Sequence, residues 1–210
     1  MIGTKKYTGK NGKDFVIKLA EAEDFRESIE TYAQVAREII YLNTEEPTPD
    51  ILEAWNERWK HNGTKMLFCV AQSEGKLTGG LVLTPYSRSP KTAHVLNLGM
   101  WLVKENRGQG MGNALMDYGL EWARQANGIR KIVLGVWNTN LRAIALYNKF
   151  GFHIEGCHRN IAMIQGKLAD EILMACDLEK NYLKKVTVPS LEPGGTSLLL
   201  HSAWTCPAQN

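Results

Sequence analysis

A glycine-rich hexapeptide, Arg107-Gly-Gln-Gly-Met-Gly112, carries the clearest chemical signal in this chain of 210 residues. Glycines at alternate positions allow positive φ angles and a close approach of the backbone to a ligand. Apolar residues then recur at helical spacing, at Met111, Leu115, Tyr118 and Trp122. The free N–H groups in the first turn of such a helix, with Arg107 beside them, would form a receptor for a phosphate or pyrophosphate.

The hexapeptide alone does not identify the ligand that carries the phosphate. A Walker loop ends in Gly-Lys-Ser/Thr, whereas this chain continues as Gly112-Asn-Ala114. A dinucleotide fingerprint needs G-x-G-x-x-G, and here the spacing is G-x-G-x-G, with Asn113 in the sixth place. A helix that simply follows a flexible loop stays open as an alternative at this point.

A second motif, Asn138-Thr-Asn-Leu-Arg-Ala-Ile-Ala-Leu-Tyr-Asn-Lys-Phe-Gly-Phe152, lies downstream of the hexapeptide. Taken with the segment 94–103 and the 107–112 loop, it resembles the GNAT superfamily of acetyl-CoA-dependent N-acetyltransferases. The matching patterns are R-G-x-G-x-G at the start of one helix, and N-x-x-A-x-x-L-Y and G-F around the next. The segment 151–156, followed by Asp170-Glu171 and Met174, resembles the branch of bacterial amino-acid and protein-terminus acetyltransferases.

The resemblance implies a fold and a co-substrate site. The expected fold is α+β, with a mixed, mostly antiparallel twisted sheet that is splayed at its centre and flanked by about four helices. Acetyl-CoA is expected in the gap between the strand ending at Val103 and the strand ending at Trp137. By the same resemblance the backbone of Leu102 and Val103 holds the pantetheine and acetyl group, the amides of 109–113 bind the pyrophosphate, and Asn140 reaches the pantetheine arm. The expected co-substrate residues are Leu102, Val103, Arg107, Gly108, Gln109, Gly110, Met111, Gly112, Asn113, Asn140, Ala143 and Tyr147.

Acyl transfer to an amine needs a neutral amine, a stabilised oxyanion and a proton for the departing thiolate. The resemblance points Tyr147 at the sulfur, and a phenol of pKa about 10 is a reasonable donor to a thiolate of pKa about 8.5. Tyr147 also shares a helix face with Leu146 and Phe150, so that a packing role is its alternative. Asn97 stands where some relatives present a carboxylate, and water relayed through Asn97 or through backbone carbonyls is the expected substitute for a base.

The lack of an obvious base bears on the acceptor. Deprotonating a lysine-like ammonium of pKa about 10.4 at pH 7 costs about 4.6 kcal/mol, whereas an α-ammonium of pKa about 7.7–8.0 costs only about 1 kcal/mol. The expected function is transfer of the acetyl group to a primary amine, on an amino acid, a small amine or a peptide N-terminus, by direct attack in a ternary complex. Among these, the sequence favours an α-amine on an amino acid or a peptide terminus. A non-catalytic module that binds acyl-CoA as a sensor is the alternative function.

Hydrophobic periodicity predicts the elements that must position these residues. Strands are expected at 15–19, 66–71, 80–83, 94–103, 131–137, 152–164 and 171–178, the last two as a hairpin around Gly166-Lys167. Helices are expected from Asp24 as N-cap to Ile39, from Thr48-Pro49 to about 61–63, over 111–126 and over 140–150. The strand–helix–strand order through 94–137 predicts one pair of parallel strands.

Composition bounds the remaining questions. Residues 1–182 are expected to form one domain. Residues 183–210 are expected to be a tail of low charge that is flexible or derived from a vector, with an edge strand over 196–200 as the alternative. A net charge of +3 is too small to favour nucleic acid, and no apolar run approaches the ~18 residues of a membrane span. The N-terminus lacks a signal-peptide pattern, so a cytoplasmic protein is expected, with Cys69, Cys157, Cys176 and Cys206 as reduced thiols. A homodimer is expected only by analogy with such folds.

Other reactive residue types carry weaker signals. His153 and His158 lack a third ligand at metal spacing, so surface histidines are expected and no metal site is predicted. Cys157 has no histidine partner in sequence. Glu155 is a candidate contact for the acceptor, and Trp55 and Trp59 are expected either in the core or as a wall of the acceptor pocket.

Overall fold

The structure, a computed structural model, describes residues 2–43, 46–47, 53, 55 and 61–178. Eight strands form one sheet in the order β1-β2-β3-β4-β5-β6-β8-β7. They are β1 (Lys5–Thr8), β2 (Asp14–Leu19), β3 (Leu67–Ser73), β4 (Lys76–Pro85), β5 (Val95–Leu102), β6 (Lys131–Trp137), β7 (His153–Ile164) and β8 (Lys167–Asp177). The helices given in full in the described part are α1 (Asp24–Ala36), α2 (Met111–Gln125) and α3 (Leu141–Lys149).

The centre of the sheet is a short parallel seam between β5 and β6, whereas all other neighbouring strands are antiparallel. Pairing across the seam ends at Asn97, which lies opposite Val133. Beyond that point β5 pairs only with β4, and β6 pairs only with β8. The segments 98–102 and 134–137 therefore diverge, which confirms the predicted parallel pair and the predicted splay.

Helices cover both faces of the sheet, so that the apolar side of each strand is buried. On one face, α2 and α3 pack over the larger cluster of buried residues, to which Leu115, Ile132 and Met174 belong. On the other face, α1 packs with Trp55 over a smaller cluster that includes Phe68 and Trp101. The splay is thus flanked by helices on both sides of the sheet, and α2 and α3 both begin beside it.

The start and end of α1 differ from the prediction. The predicted N-cap, Asp24, is instead the first residue of the helix, and Glu23 occupies the cap position. The carboxylate of Asp24 accepts hydrogen bonds from the N–H of Glu21 (2.8 Å) and from Nζ of Lys18 (2.9 Å). The helix ends at Ala36 rather than at Ile39, which adopts a left-handed φ of 56° that breaks the helix.

The strand β1 was not predicted, because Lys5-Lys-Tyr-Thr8 carries one apolar side chain and shows no alternation strong enough to indicate a strand. Its Tyr7 stacks on Phe15 with ring centroids 5.3 Å apart, which fixes the hairpin with β2. All seven strands that the sequence predicted are present, and their bounds differ from the prediction by a few residues.

Some predictions lie outside the described residues. The helix predicted from Thr48-Pro49 is described only at Glu53 and Trp55, which are both helical, while Trp59 lies outside. The predicted tail over 183–210, with Cys206, lies outside as well. In the described part, no helix is long and apolar enough to cross a membrane, and Cys69, Cys157 and Cys176 form no disulfide.

Candidate active site

A cleft of about 890 Å³ occupies the splay between β5 and β6. Most of the residues expected at the co-substrate line it: Leu102, Arg107, Gly108, Gly110, Gly112, Asn113, Asn140, Ala143 and Tyr147. Asn97, expected as a water relay, lines it too, at the last paired position of the seam. Val103, Gln109 and Met111 are not part of the lining.

The N-terminus of α2 opens into this cleft. Gly110 starts the helix at a left-handed φ of 99°, and no side chain caps the helix. The first intrahelical hydrogen bond runs from the N–H of Ala114 to the carbonyl of Gly110 (3.1 Å), so the amides of 111–113 have no partner within the helix. Together with the helix dipole, these donors make the end of α2 a receptor for an anion.

Two lysines that the sequence reasoning did not single out lie at this end of the cleft. Lys149 donates from Nζ to Oδ1 of Asn113 (2.5 Å), which ties the end of α3 to the start of α2. Lys10, in the β1–β2 turn, donates its N–H to the carbonyl of Gln109 (3.2 Å), and it also lines the cleft. Neither was predictable, because Lys10 arrives through the unpredicted β1–β2 hairpin and Lys149 through helix packing.

Arg107 is held by neighbouring protein groups. Its Nη1 donates to Oε2 of Glu38 (2.8 Å), its Nη2 pairs with Oε1 of the same carboxylate, and its Nε donates to the carbonyl of Leu102 (2.8 Å). The guanidinium also lies over the ring of Tyr41, 4.8 Å from the centroid. Burial alone would lower the pKa of Arg107, but the hydrogen bonds and charge of Glu38 outweigh burial and raise it. Arg107 therefore stays charged and ties the loop to the segment that follows α1.

Two of the predicted residues outside the lining, Val103 and Met111, serve the scaffold through their own contacts. Val103 donates its N–H to the carbonyl of Thr78 (2.9 Å) and accepts from the N–H of Asn106 (3.1 Å). The side chain of Met111 is buried in the core, where its Sδ accepts from Oγ1 of Thr78 (3.4 Å). The backbone of Val103 thus already has internal partners on both sides.

The helix α3 brings Asn140 and Tyr147 to the other side of the cleft. Asn140 is the N-cap, and its Oδ1 accepts from the N–H of Ala143 (3.2 Å), while the residue also lines the cleft. Tyr147 is only 7% exposed and packs against Phe152 with ring centroids 5.7 Å apart. Its hydroxyl forms no hydrogen bond within the described part of the chain. Desolvation by burial raises the pKa of Tyr147 to about 12, so the phenol is protonated at neutral pH.

Aromatic side chains wall the cleft on the side of α1. The rings of Tyr32, Trp55 and Trp101 lie 5.0–5.6 Å apart, and all three line the cleft. Nε1 of Trp101 donates to Oγ1 of Thr31 (3.1 Å), which anchors this cluster to α1. Of the two interpretations of Trp55, core or cleft wall, both apply, since it is buried and also lines the cleft.

The structure brings a different carboxylate to the cleft from the one that the sequence suggested. Glu155 pairs with Nζ of Lys131 (2.6 Å) and is absent from the lining, so it does not reach the site. Glu171 of β8 lines the cleft, and Nδ1 of His158 lies 3.0 Å from its Oε2. Within the described residues no group of His, Cys, Asp or Glu could hold a metal ion.

A sheet that splays at a central parallel pair, with an uncapped helix N-terminus at the gap, defines the class of acetyltransferases that the two motifs indicated. This chain belongs to the acetyltransferase (GNAT) family, whose pattern matches residues 23–152.

Named relatives and solved structures agree with this assignment. The chain is 30% identical over 163 residues to the L-amino acid N-acetyltransferase AaaT of Escherichia coli (strain K12). The aligned region covers 77% of this chain and 97% of that protein. A GNAT superfamily phosphinothricin acetyltransferase (Pat) from Sinorhizobium meliloti, solved in complex with AcCoA, matches with a TM-score of 0.72 at 21% identity, over 89% of this chain and 97% of that one. An acetyltransferase of the GNAT family from Streptococcus pneumoniae matches with a TM-score of 0.70 at 24% identity, over 79% and 99%. The protein is therefore an acetyltransferase.

Proposed function

We propose that this acetyltransferase moves the acetyl group of acetyl-CoA to the α-amine of an amino acid or a peptide terminus. The observation that carries the donor half is the cleft between β5 and β6, with the uncapped N-terminus of α2 at one end. The name of the AaaT relative, an L-amino acid N-acetyltransferase, supports the acceptor half.

The residues at the α2 end of the cleft fit the pyrophosphate of acetyl-CoA. The amides of 109–113 and the positive end of the helix dipole supply hydrogen-bond donors, and Lys10 and Lys149 add charge at the same place. The pantetheine arm would follow the splay between 98–102 and 134–137, where Asn140 lines the cleft and would contact the arm. Arg107 contributes by holding the loop, since Glu38 already engages its guanidinium.

In this proposal Tyr147, which lines the cleft, donates its proton toward the thiolate that leaves. A phenol of pKa about 12 is a much weaker acid than a thiol of ordinary pKa about 8.5. A free transfer in water would therefore be unfavourable. A thiolate desolvated in the same cleft also has a raised pKa, which narrows the gap. The hydrogen bond from Tyr147 then strengthens as negative charge develops on the sulfur.

The acceptor must lose a proton before it attacks, and the amide of Asn97 cannot serve as a base. Asn97 is exposed, so water can bridge from it to bulk solvent. Loss of the proton from the α-ammonium of a peptide terminus costs about 1 kcal/mol at pH 7, against about 4.6 kcal/mol for a lysine-like amine. The α-ammonium of a free amino acid lies between these two cases. A site with water as its base thus favours α-amines.

The test is a screen for release of free CoA from acetyl-CoA. The acceptor panel holds the L-amino acids, phosphinothricin, a peptide with a free N-terminus, spermidine and Nα-acetyl-lysine. We expect the highest kcat/KM on an α-amine. Comparable or faster turnover of spermidine or Nα-acetyl-lysine would contradict the proposed acceptor class. Tight binding of acetyl-CoA without turnover of any amine would instead favour the alternative of a non-catalytic module.

A further inference from the structure

Glu171 reaches the cleft from a strand that does not border the splay. It belongs to β8, which is separated from β5 by the whole of β6, and it lies opposite Trp137 in the β6–β8 register. Its side chain nevertheless lines the cleft and is only 23% exposed. A polar group that crosses a neighbouring strand needs a gap in the side chains of that strand.

Gly135 of β6 supplies this gap. A Cβ atom built on Gly135 would lie 2.2 Å from Oε1 and 2.8 Å from Cδ of Glu171, so the carboxylate occupies the space that any other residue would fill. Gly135 lies in the segment 134–137, which has left the seam with β5. The carboxylate therefore rests on the open stretch of β6, on the same face of the sheet as Trp137.

The opposite side of Glu171 is fixed as well. Nδ1 of His158, on β7, lies 3.0 Å from Oε2 and holds one carboxylate oxygen, while Oε1 stays over Gly135. Among the described residues that line the cleft, Glu171 is the one carboxylate, whereas Lys10, Arg107, Arg142 and Lys149 are cationic. An acceptor that enters as a cation thus meets one anionic group among the described residues of the lining.

We propose that Glu171 binds the ammonium group of the acceptor and so selects amines that are cationic in solution. His158 and Gly135 act as positioning residues, because one holds a carboxylate oxygen and the other leaves room for it. This inference rests on the proposed function, and it assigns binding and orientation to the carboxylate. Removal of the proton stays with water at Asn97.

The experiment uses Glu171→Gln with two acceptors at pH 7.5. One is the L-amino acid that the wild type acetylates fastest, and the other is O-methylhydroxylamine, whose attacking nitrogen is neutral at this pH. We expect KM for the amino acid to rise about 10- to 100-fold, the range for loss of a charge-assisted hydrogen bond. KM for acetyl-CoA and kcat/KM for O-methylhydroxylamine should stay within about twofold.

Two further variants sharpen the test. Asp177→Asn makes the same change of charge on the same face of β8, outside the cleft lining, and should leave both acceptors unaffected. Gly135→Ala keeps the charge but displaces the carboxylate, and it should raise KM for the amino acid in the same direction. A thermal melt establishes whether Gly135→Ala is folded, and Glu171→Gln decides the matter if it is not.

Each remaining outcome has a definite meaning. An unchanged KM for the amino acid in Glu171→Gln, or an equal loss with both acceptors, would overturn the role of Glu171 and leave the proposed function intact. A wild type that turns over no amine would overturn the proposed function, and the assignment of Glu171 would fall with it.

Discussion

At the scale of the residue, burial determines what Tyr147 can do. The same desolvation that raises the pKa of Tyr147 to about 12 keeps its proton on the phenol throughout the physiological range. The side chain packs against Phe152 and lines the cleft. Because the hydroxyl has no hydrogen-bond partner among the described residues, it can donate to a ligand in the cleft.

Tyr147→Phe removes this donor with little change in shape. We expect kcat to fall about 100-fold, the lower range for general acid catalysis, with KM for acetyl-CoA nearly unchanged. Steady-state kinetics with varied acetyl-CoA measure both values. Tyr118→Phe is the matched control, because its hydroxyl donates to the carbonyl of Ile2 (3.0 Å) in the core, outside the cleft lining. An unchanged kcat in Tyr147→Phe would make Tyr147 a packing residue.

The raised pKa of Tyr147 also makes folding depend on alkaline pH. The unfolded chain ionises this phenol from a pKa of about 10, whereas the folded chain holds the proton up to about 12. Stability from this residue is therefore complete below pH 10 and falls as pH rises, by about 1.4 kcal/mol per unit between those values. Urea unfolding at pH 9 and pH 11 should show a smaller decrease for Tyr147→Phe than for wild type. Equal decreases in the free energy of unfolding of the two proteins would contradict a raised pKa of Tyr147 in the folded chain.

At the scale of the element, α2 combines a core helix with an anion receptor at one end. Its inward residues follow the helical spacing seen in the sequence, so its existence and position were predictable. The start of the helix at Gly110 was predictable too, because glycine is the residue that accepts its φ of 99°. The lysines beside it were not, since sequence spacing carries no record of which distant turn packs there.

Gly110→Ala tests this helix start. A Cβ at this positive φ is strained by about 1–2 kcal/mol, and relief of the strain turns the first-turn amides away from the ligand. We expect KM for acetyl-CoA to rise about 10-fold, measured at saturating acceptor. Gly128→Ala is the control, because Gly128 follows α2 with a similar φ of 83° and open space around it. Both variants should lose similar stability in a thermal melt. An equal rise in KM for acetyl-CoA in both would contradict the assignment of the α2 N-terminus as the phosphate-binding end.

At the scale of the whole molecule, the two motifs were sufficient to predict the fold class and the splay. What they left out depends on pairs that meet only in three dimensions. The sequence predicted Arg107 as a phosphate ligand. In the structure its guanidinium binds the carboxylate of Glu38, which lies 69 positions away in sequence. Glu171 entered the sequence analysis only as part of a family pattern and not as a cleft residue, because its place in the cleft depends on a glycine of another strand. The sequence did contain one indication of this gap, because Gly135 interrupts the apolar run of β6.

A ligand in the cleft would join the two halves of the sheet. Any compound that binds only the folded chain stabilises it by about 2.7 kcal/mol at a concentration of 100 times its Kd. We expect acetyl-CoA to raise Tm, and hydrogen–deuterium exchange to slow mainly in 98–102 and 134–137. Protection confined to the α2 end would show that the ligand binds at its phosphates alone, with its pantetheine arm outside the splay.

The brevity of the parallel seam has a consequence for motion. Only the pairs from Val95 with Lys131 to Asn97 with Val133 connect β1–β5 to β6–β8 within the sheet. Each half keeps its own antiparallel ladders, so the seam is the place where the sheet can open without melting either half. Opening of the seam would widen the cleft through which free CoA leaves. The rate of product release is therefore expected to depend on how often these three pairs open, and not on the global free energy of unfolding.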